Sequence, residues 1–173
     1  DVVNDGANIL EQLYPYQDRI TAAGLGEGGD FRRAFPKVAY ERITPDERLP
    51  FADQSFDIAA ANAVLEHVGS VERQQRFLRE LSRVARQVFI SVPNRHFPVE
   101  HHTAIPLLHF WDPTFRFACR TLRKEKWAQE AELILMSAAR LKALVPAGMA
   151  VKTSYSGIPL GPFSSNLYLH FSR

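Results

Sequence analysis

The chain is poor in sulfur and in tryptophan. Its 173 residues include one cysteine, two methionines and two tryptophans. A single thiol, Cys119, excludes an internal disulfide framework and any multi-cysteine metal site. It fits a reducing compartment, and a cytoplasmic location is the expectation. No apolar run approaches the roughly 20 residues of a membrane span, and no signal-peptide pattern opens the chain. Neither sign of charge dominates. Lys and Arg total 21 against 19 Asp and Glu, for a net +2, and the pI near 8.8 overstates that small imbalance. Such a balance does not call for nucleic acid as a partner. There is no internal repeat and no low-complexity tract. Nor is there an initiator methionine. Asp1-Val2-Val3 reads as the end of a strand entering a loop, so part of the N-terminus is expected to be missing.

What is present is an ordinary globular composition, 46% hydrophobic and 23% charged, long enough for one domain with a proper core. Short β-branched and aromatic segments alternate with segments of helical period, which predicts an α/β fold with a mostly parallel sheet. Strands are expected over residues 19–25, 37–43, 56–61, 87–92, 151–156 and 166–171. Helices are expected over 8–14, 30–35, 70–86, 114–131 and 137–145. The helix over 70–86 has the clearest signal: Ser70 as N-cap, and an apolar stripe of Phe77, Leu78, Leu81, Val84 and Ala85. The last two strands are expected to pair antiparallel. Residues 94–131 carry prolines and histidines without clear period at first, and read as an insertion or lid.

LPFADQSFDIAAANAVLEHV, residues 49–68, sets polar residues around a strand otherwise apolar and small. In a doubly wound sheet, ligands sit beyond the carboxyl ends of the parallel strands. The loops expected there are GLGEGG, ITPDERLPF, ANAVLEHV and VPNRHFPVEHH. The polar residues thus belong to the rim, and residues 56–61 to the buried core. Asp53 and Asp57 are expected to cap turns and bond backbone N–H groups.

That stretch resembles the LPF-x-D-x-SFD…VLEHV signature of class I S-adenosylmethionine-dependent methyltransferases, of the type-11-like small-molecule group. ISVPN and the closing strand pair resemble the family's later strands. The resemblance implies a Rossmann-like doubly wound sheet with an antiparallel C-terminal pair, S-adenosylmethionine as cofactor, and a small-molecule or glycan-like acceptor. It implies cofactor contacts at Gly24 and Gly26, with Glu27 accepting the ribose hydroxyls, though GEGG can equally be a plain turn. Asp46 or Glu47 would meet the adenine amino group. Leu49 would pack at the adenine edge, or else plug the sheet. Small side chains at Ala60 and Ala61 would allow close backbone approach, and Asn62 would bond the methionine part. The family's glycine loop has at most a remnant here, in Asp5-Gly6.

Methyl transfer needs chiefly in-line positioning, because the sulfonium is already activated. A base is required only when the acceptor must lose a proton, and histidine suits that near neutral pH. His67 is one candidate, with a helix-end residue bonding a carbonyl as the plain alternative, and His102 with Glu100 is another; Arg95, Glu100 and His102 are also candidates for acceptor contact. His96, Glu100, His101, His102 and His109 invite a metal reading, but adjacent histidines diverge on regular elements, and no metal is expected. Arg116, Arg120, Arg123, Lys124 and Lys126 read as a basic helical segment, either a solvated face or a contact for an anionic acceptor or peripheral membrane surface. A methyltransferase-like binding or scaffold protein without catalysis is the alternative function. A nicotinamide oxidoreductase shares such a sheet and is disfavoured because no Tyr-Lys or comparable hydride-site pair is recognised.

Overall fold

The computed structural model describes residues 8–173. The expected strand end at Asp1-Val2-Val3 and the glycine-loop remnant at Asp5-Gly6 lie outside them. The chain divides into two compact units, one ending at Pro50 and one running from Phe51 to Arg173. Each is described by itself.

The first unit begins with α1, Ile9–Leu13, which Pro15 prevents from continuing. A 3-10 turn, Gln17–Arg19, leads into β1, Thr21–Gly24. Helix α2, Gly29–Ala34, connects it to β2, Ala39–Arg42, which runs parallel to β1 from the pair Thr21–Ala39 to the pair Gly24–Arg42. Phe31, Phe35 and Val38 form the buried cluster, flanked by Ile20, Ala22 and Tyr40. Tyr40 dictates the glycines of the intervening loop. Its hydroxyl donates to the Gly26 carbonyl at 2.9 Å. A Cβ at Gly24 would come within 2.5 Å of that hydroxyl, and one at Gly28 would run into the ring. Gly28 also has φ +72°, the left-handed region where a side chain is strained. The GEGG segment is therefore a turn clamped on an aromatic ring.

The second unit carries β3, Phe56–Asn62; α3, Val71–Val84; β4, Ala85–Pro93; α4, Asp112–Thr121; α5, Ala138–Leu144; β5, Ala150–Ser156; and β6, Asn166–Ser172. Its sheet has the order β3-β4-β6-β5. β3 and β4 are parallel, while β6 lies antiparallel between β4 and β5. The α/β class with parallel ladders and a closing antiparallel pair is as the sequence implies. On one face, Val88, Ile90 and Val92 of β4 sit opposite Phe171, Leu169 and Leu167 of β6, all buried. Helices α3 and α5 cover that side.

Three expectations need correction. Strand β3 is not buried: among the described residues it pairs only with β4, and Ile58 is 55% exposed. Helix α3 stops at Val84, two residues early, because Ala85 already pairs with Phe56 in the β ladder. It has no loop after it: Ala85 donates its N–H to Leu81 as the helix cap and is also the first residue of β4. Its buried face includes Gln74 and Ser82 beside Leu78 and Leu81, so two polar residues share the inward stripe. The helix expected over 114–131 ends at Thr121. Arg123 turns at φ +56°, and a separate 3-10 turn, Glu125–Ala128, follows. The basic residues thus occupy a helix, a turn and a second short helix, not one face. Among the described residues, no helix is long and apolar enough to cross a membrane.

The apolar layer between β4 and β6 sets the stability of this unit. Leu169 is fully buried in it. Leu169→Ala is expected to destabilise the protein by about 2–5 kcal/mol through lost transfer energy plus a cavity. Denaturant unfolding would measure it, and a loss below about 1 kcal/mol would contradict the packing described.

Candidate functional site

β3 and β4 run parallel, so their carboxyl ends, at Asn62 and Pro93, point the same way. Two loops leave from there. After β3 the chain turns through Ala63, at φ +52°, whose N–H donates to the Ser91 carbonyl at 2.8 Å. It then forms the 3-10 turn Leu65–His67. Glu66 and His67 therefore lie on their own turn, before Ser70 caps α3. This turn places Leu65 and Glu66 inward, 0% and 1% exposed, and His67 outward.

The loop after β4 is organised by two side chains. Asn94 is buried, donates to the carbonyls of Pro162 and Ser164, and accepts from the His96 N–H. Glu100 anchors the segment EHHT. Its carboxylate accepts from the His102 N–H, the Thr103 N–H and the Thr103 hydroxyl at 3.0, 2.7 and 2.6 Å, and from His102 Nδ1 at 2.8 Å. Burial alone would raise its pKa, but these donors outweigh burial and hold it at about 2. The ionised carboxylate can only accept, so His102 carries its proton on Nδ1.

The two loops meet at their histidines. His102 Nε2 lies 3.1 Å from His67 Nε2, with the rings perpendicular. His67 Nδ1 is 2.6 Å from the Glu132 carbonyl and must donate to it. Trp127 packs on His102 with ring centroids 4.9 Å apart. Beneath the pair, both carboxylate oxygens of Glu66 are buried and accept no hydrogen bond. Burial raises the Glu66 pKa against the pull of His67 and His102. One ligand atom each from Glu66, His67 and His102 lies within 4.8 Å of the others.

The structure thus brings together His67, Glu100 and His102. Arg95 is spent elsewhere, donating to the carbonyls of His109 and Phe110 and pairing with Asp112 at 2.7 Å. Ala61 and the exposed Asn62 stand at the end of β3. In the first unit, Gly24 ends β1, Gly26 and Glu27 follow it, and Glu27 pairs with Arg42 while the Arg32 guanidinium donates to its carbonyl. Asp46 and Glu47 are exposed in a turn where Asp46 has φ +64°, and Leu49 is half-buried. Asp53 pairs with Arg83 at 2.7 Å and Asp57 with Arg86 at 3.3 Å. Arg83 also donates to the Phe51 carbonyl. Of the other histidines, His96 and His101 lie against Phe110 and Phe97, and His109 donates to the Phe97 carbonyl. By the resemblance, Glu66 and His67 would begin the helix after β3 and face the reaction cleft, with no chemical role given to Glu66. Its one signal is a carboxylate next to a histidine on a turn flanked by apolar residues.

His109 is 1% exposed, and burial lowers its pKa from 6.5. The unfolded chain takes up a proton there that the folded chain resists. Stability from this group is full above pH 6.5 and is lost as pH falls. His109→Gln keeps a donor for Phe97 and removes the titration. Its denaturation midpoint is expected to fall less steeply on acidification than that of the wild type; parallel slopes would contradict a neutral buried imidazole.

Comparisons with known proteins follow this geometry. Residues 30–88 match the family model described as a methyltransferase domain. No curated protein matches the chain. Among solved structures, a putative zinc-dependent alcohol dehydrogenase from Rhodobacter sphaeroides is similar at TM-score 0.60 and 13% identity, over 88% of this chain and 74% of that one. A possible histamine N-methyltransferase from Thermotoga maritima, described as S-adenosylmethionine-dependent, gives 0.54 and 16%, over 88% and 72%. An S-adenosylmethionine-dependent methyltransferase from Mesorhizobium loti gives 0.55 and 17%, over 88% and 79%. At these identities the likeness is one of fold, and activity is not read from it. The matched segment covers about a third of the chain, and the fold around it is one that S-adenosylmethionine-dependent methyltransferases share.

Proposed function

We propose that the protein transfers a methyl group from S-adenosylmethionine to a small-molecule or glycan-like acceptor. The observation that carries this reading is the signature over residues 49–68, found in its strand-and-turn context with Asn62 exposed at the carboxyl end of β3. In such folds this is the ligand-binding end of the sheet. Ala61 and Asn62 would meet the methionine part of the cofactor. Glu27 would accept the ribose hydroxyls, as a carboxylate can accept two at once. Gly24, Gly26, Asp46, Glu47 and Leu49 are the remaining candidate contacts.

The cofactor supplies an activated methyl group, and the chain supplies orientation. An acceptor hydroxyl or ammonium must give up a proton as it is methylated. His67 stands next to the strand that would hold the cofactor, with its Nε2 free of a carbonyl partner, and is the candidate base. Glu100 would act through His102 by fixing its tautomer. Residues 94–131 would form the acceptor-binding element.

Calorimetry of the full chain with S-adenosylhomocysteine tests the reading. One cofactor per chain is expected, and Asn62→Ala should weaken binding by about tenfold, the value of one hydrogen bond near 1.4 kcal/mol. No heat of binding at millimolar ligand would sink it. Binding without turnover on any acceptor would favour the binding-protein alternative.

A further inference from the structure

We propose that Glu66, His67 and His102 form a divalent-metal site of the zinc type, with two imidazole nitrogens and one carboxylate as protein ligands. The site is tested without methyl transfer; a bound ion would take up the His67 Nε2 lone pair, so His67 would serve as the candidate base only in the metal-free chain. Three observations converge.

The first is the tautomers. His67 Nδ1 faces a backbone carbonyl, and His102 Nδ1 faces the Glu100 carboxylate, which already accepts from the Thr103 N–H and hydroxyl, so both Nδ1 atoms carry the proton. Both Nε2 atoms are then bare lone-pair donors, 3.1 Å apart. Two acceptors at that distance repel unless a cation sits between them. The second is Glu66. Its carboxylate is 1% exposed, has no hydrogen bond, and lies 3.9 Å from His67 Nε2. A single shared proton would satisfy the two imidazoles but would leave both Glu66 oxygens without a partner. A divalent ion satisfies all three groups together. The third is the outer partners. Histidines that bind metals characteristically donate their other ring N–H to a carboxylate or a backbone carbonyl, and here one does each.

The spacing agrees with zinc. Two nitrogens at 2.0–2.1 Å from a tetrahedral ion stand about 3.3 Å apart, close to the 3.1 Å observed. Nitrogen ligands favour zinc over magnesium or calcium, which take oxygen. The His67 side chain is 35% exposed, so one vertex is open to water or to an acceptor oxygen. His101 and His109 line the same small cavity, but they and His96 make other contacts, and the three ligand atoms that converge are those of Glu66, His67 and His102.

Chelator-treated full chain titrated with Zn²⁺ in a calorimeter should bind one ion. His67→Ala and His102→Ala should each abolish stoichiometric binding, while Glu100→Gln, an outer partner, should weaken it by roughly 10–100-fold. Glu66→Gln should weaken it as strongly as Glu100→Gln or more, and His96→Ala should leave it unchanged. Circular dichroism checks the fold of each variant. Should an alanine variant fail to fold, X-ray absorption on the zinc-loaded wild type decides: two imidazoles in the first shell support the site. Absence of stoichiometric zinc, a shell without histidine, or a proton shared between the two Nε2 atoms in zinc-treated protein would overturn it.

Discussion

Strand β4 is the member on which the second unit depends. It is hydrogen-bonded along both edges, to β3 in parallel and to β6 antiparallel. Its inward residues alternate with its outward ones, so one register sets both the apolar layer and the direction in which the chain leaves the sheet. Val88, Ile90 and Val92 fix that register against β6. Once it is fixed, Pro93 and Asn94 deliver the histidine-rich loop to the same end of the sheet where β3 delivers Asn62. The functional end of this unit is thus a consequence of strand pairing, and its loops are adjustable only beyond that point.

Within those loops, order comes from a few acceptors that are heavily used. Glu100 gathers four donors from a segment of three residues, which makes EHHT rigid and aims His102. Glu66 is the opposite case, a buried carboxylate with no donor at all. A folded chain tolerates such a group when something else compensates it or when function needs it. The pairing of one over-satisfied acid with one unsatisfied acid, joined by two imidazoles, is what separates this end of the molecule from ordinary core. Along the rest of the chain, charged groups pair at the surface in a conventional way, as Asp57 with Arg86 does.

The elements were largely legible from period and punctuation. Ser70 and the stripe through Leu78 and Leu81 located α3, and alternation located β6. Boundaries failed where local signals competed with pairing. Ala85 and Arg86 continue a helical pattern, but their neighbours in β3 claim them as strand. Ile58 reads as core because it is apolar; only the strand order shows that, among the described residues, β3 pairs with β4 alone and leaves Ile58 exposed. At the site, the signature stretch and the His- and Glu-rich loop were each visible. Their meeting was not, because His67 and His102 are 35 positions apart and nothing local couples them. The partners of Asp53 and Asp57, Arg83 at the end of α3 and Arg86 at the start of β4, leave no trace near them in sequence. The glycines of GEGG looked like a cofactor motif, while Tyr40, fourteen positions from Gly26, accounts for their packing.

Helix α3 passes into β4 without a connecting residue. Helical rotation and strand pleat are therefore geared to one another at Ala85. Gaining or losing a single residue there would turn Val88, Ile90 and Val92 to the opposite face of the sheet. This junction fixes chain length as strictly as any side chain fixes chemistry, which leaves changes of length to the loops, and it is the loops that carry His67 and His102.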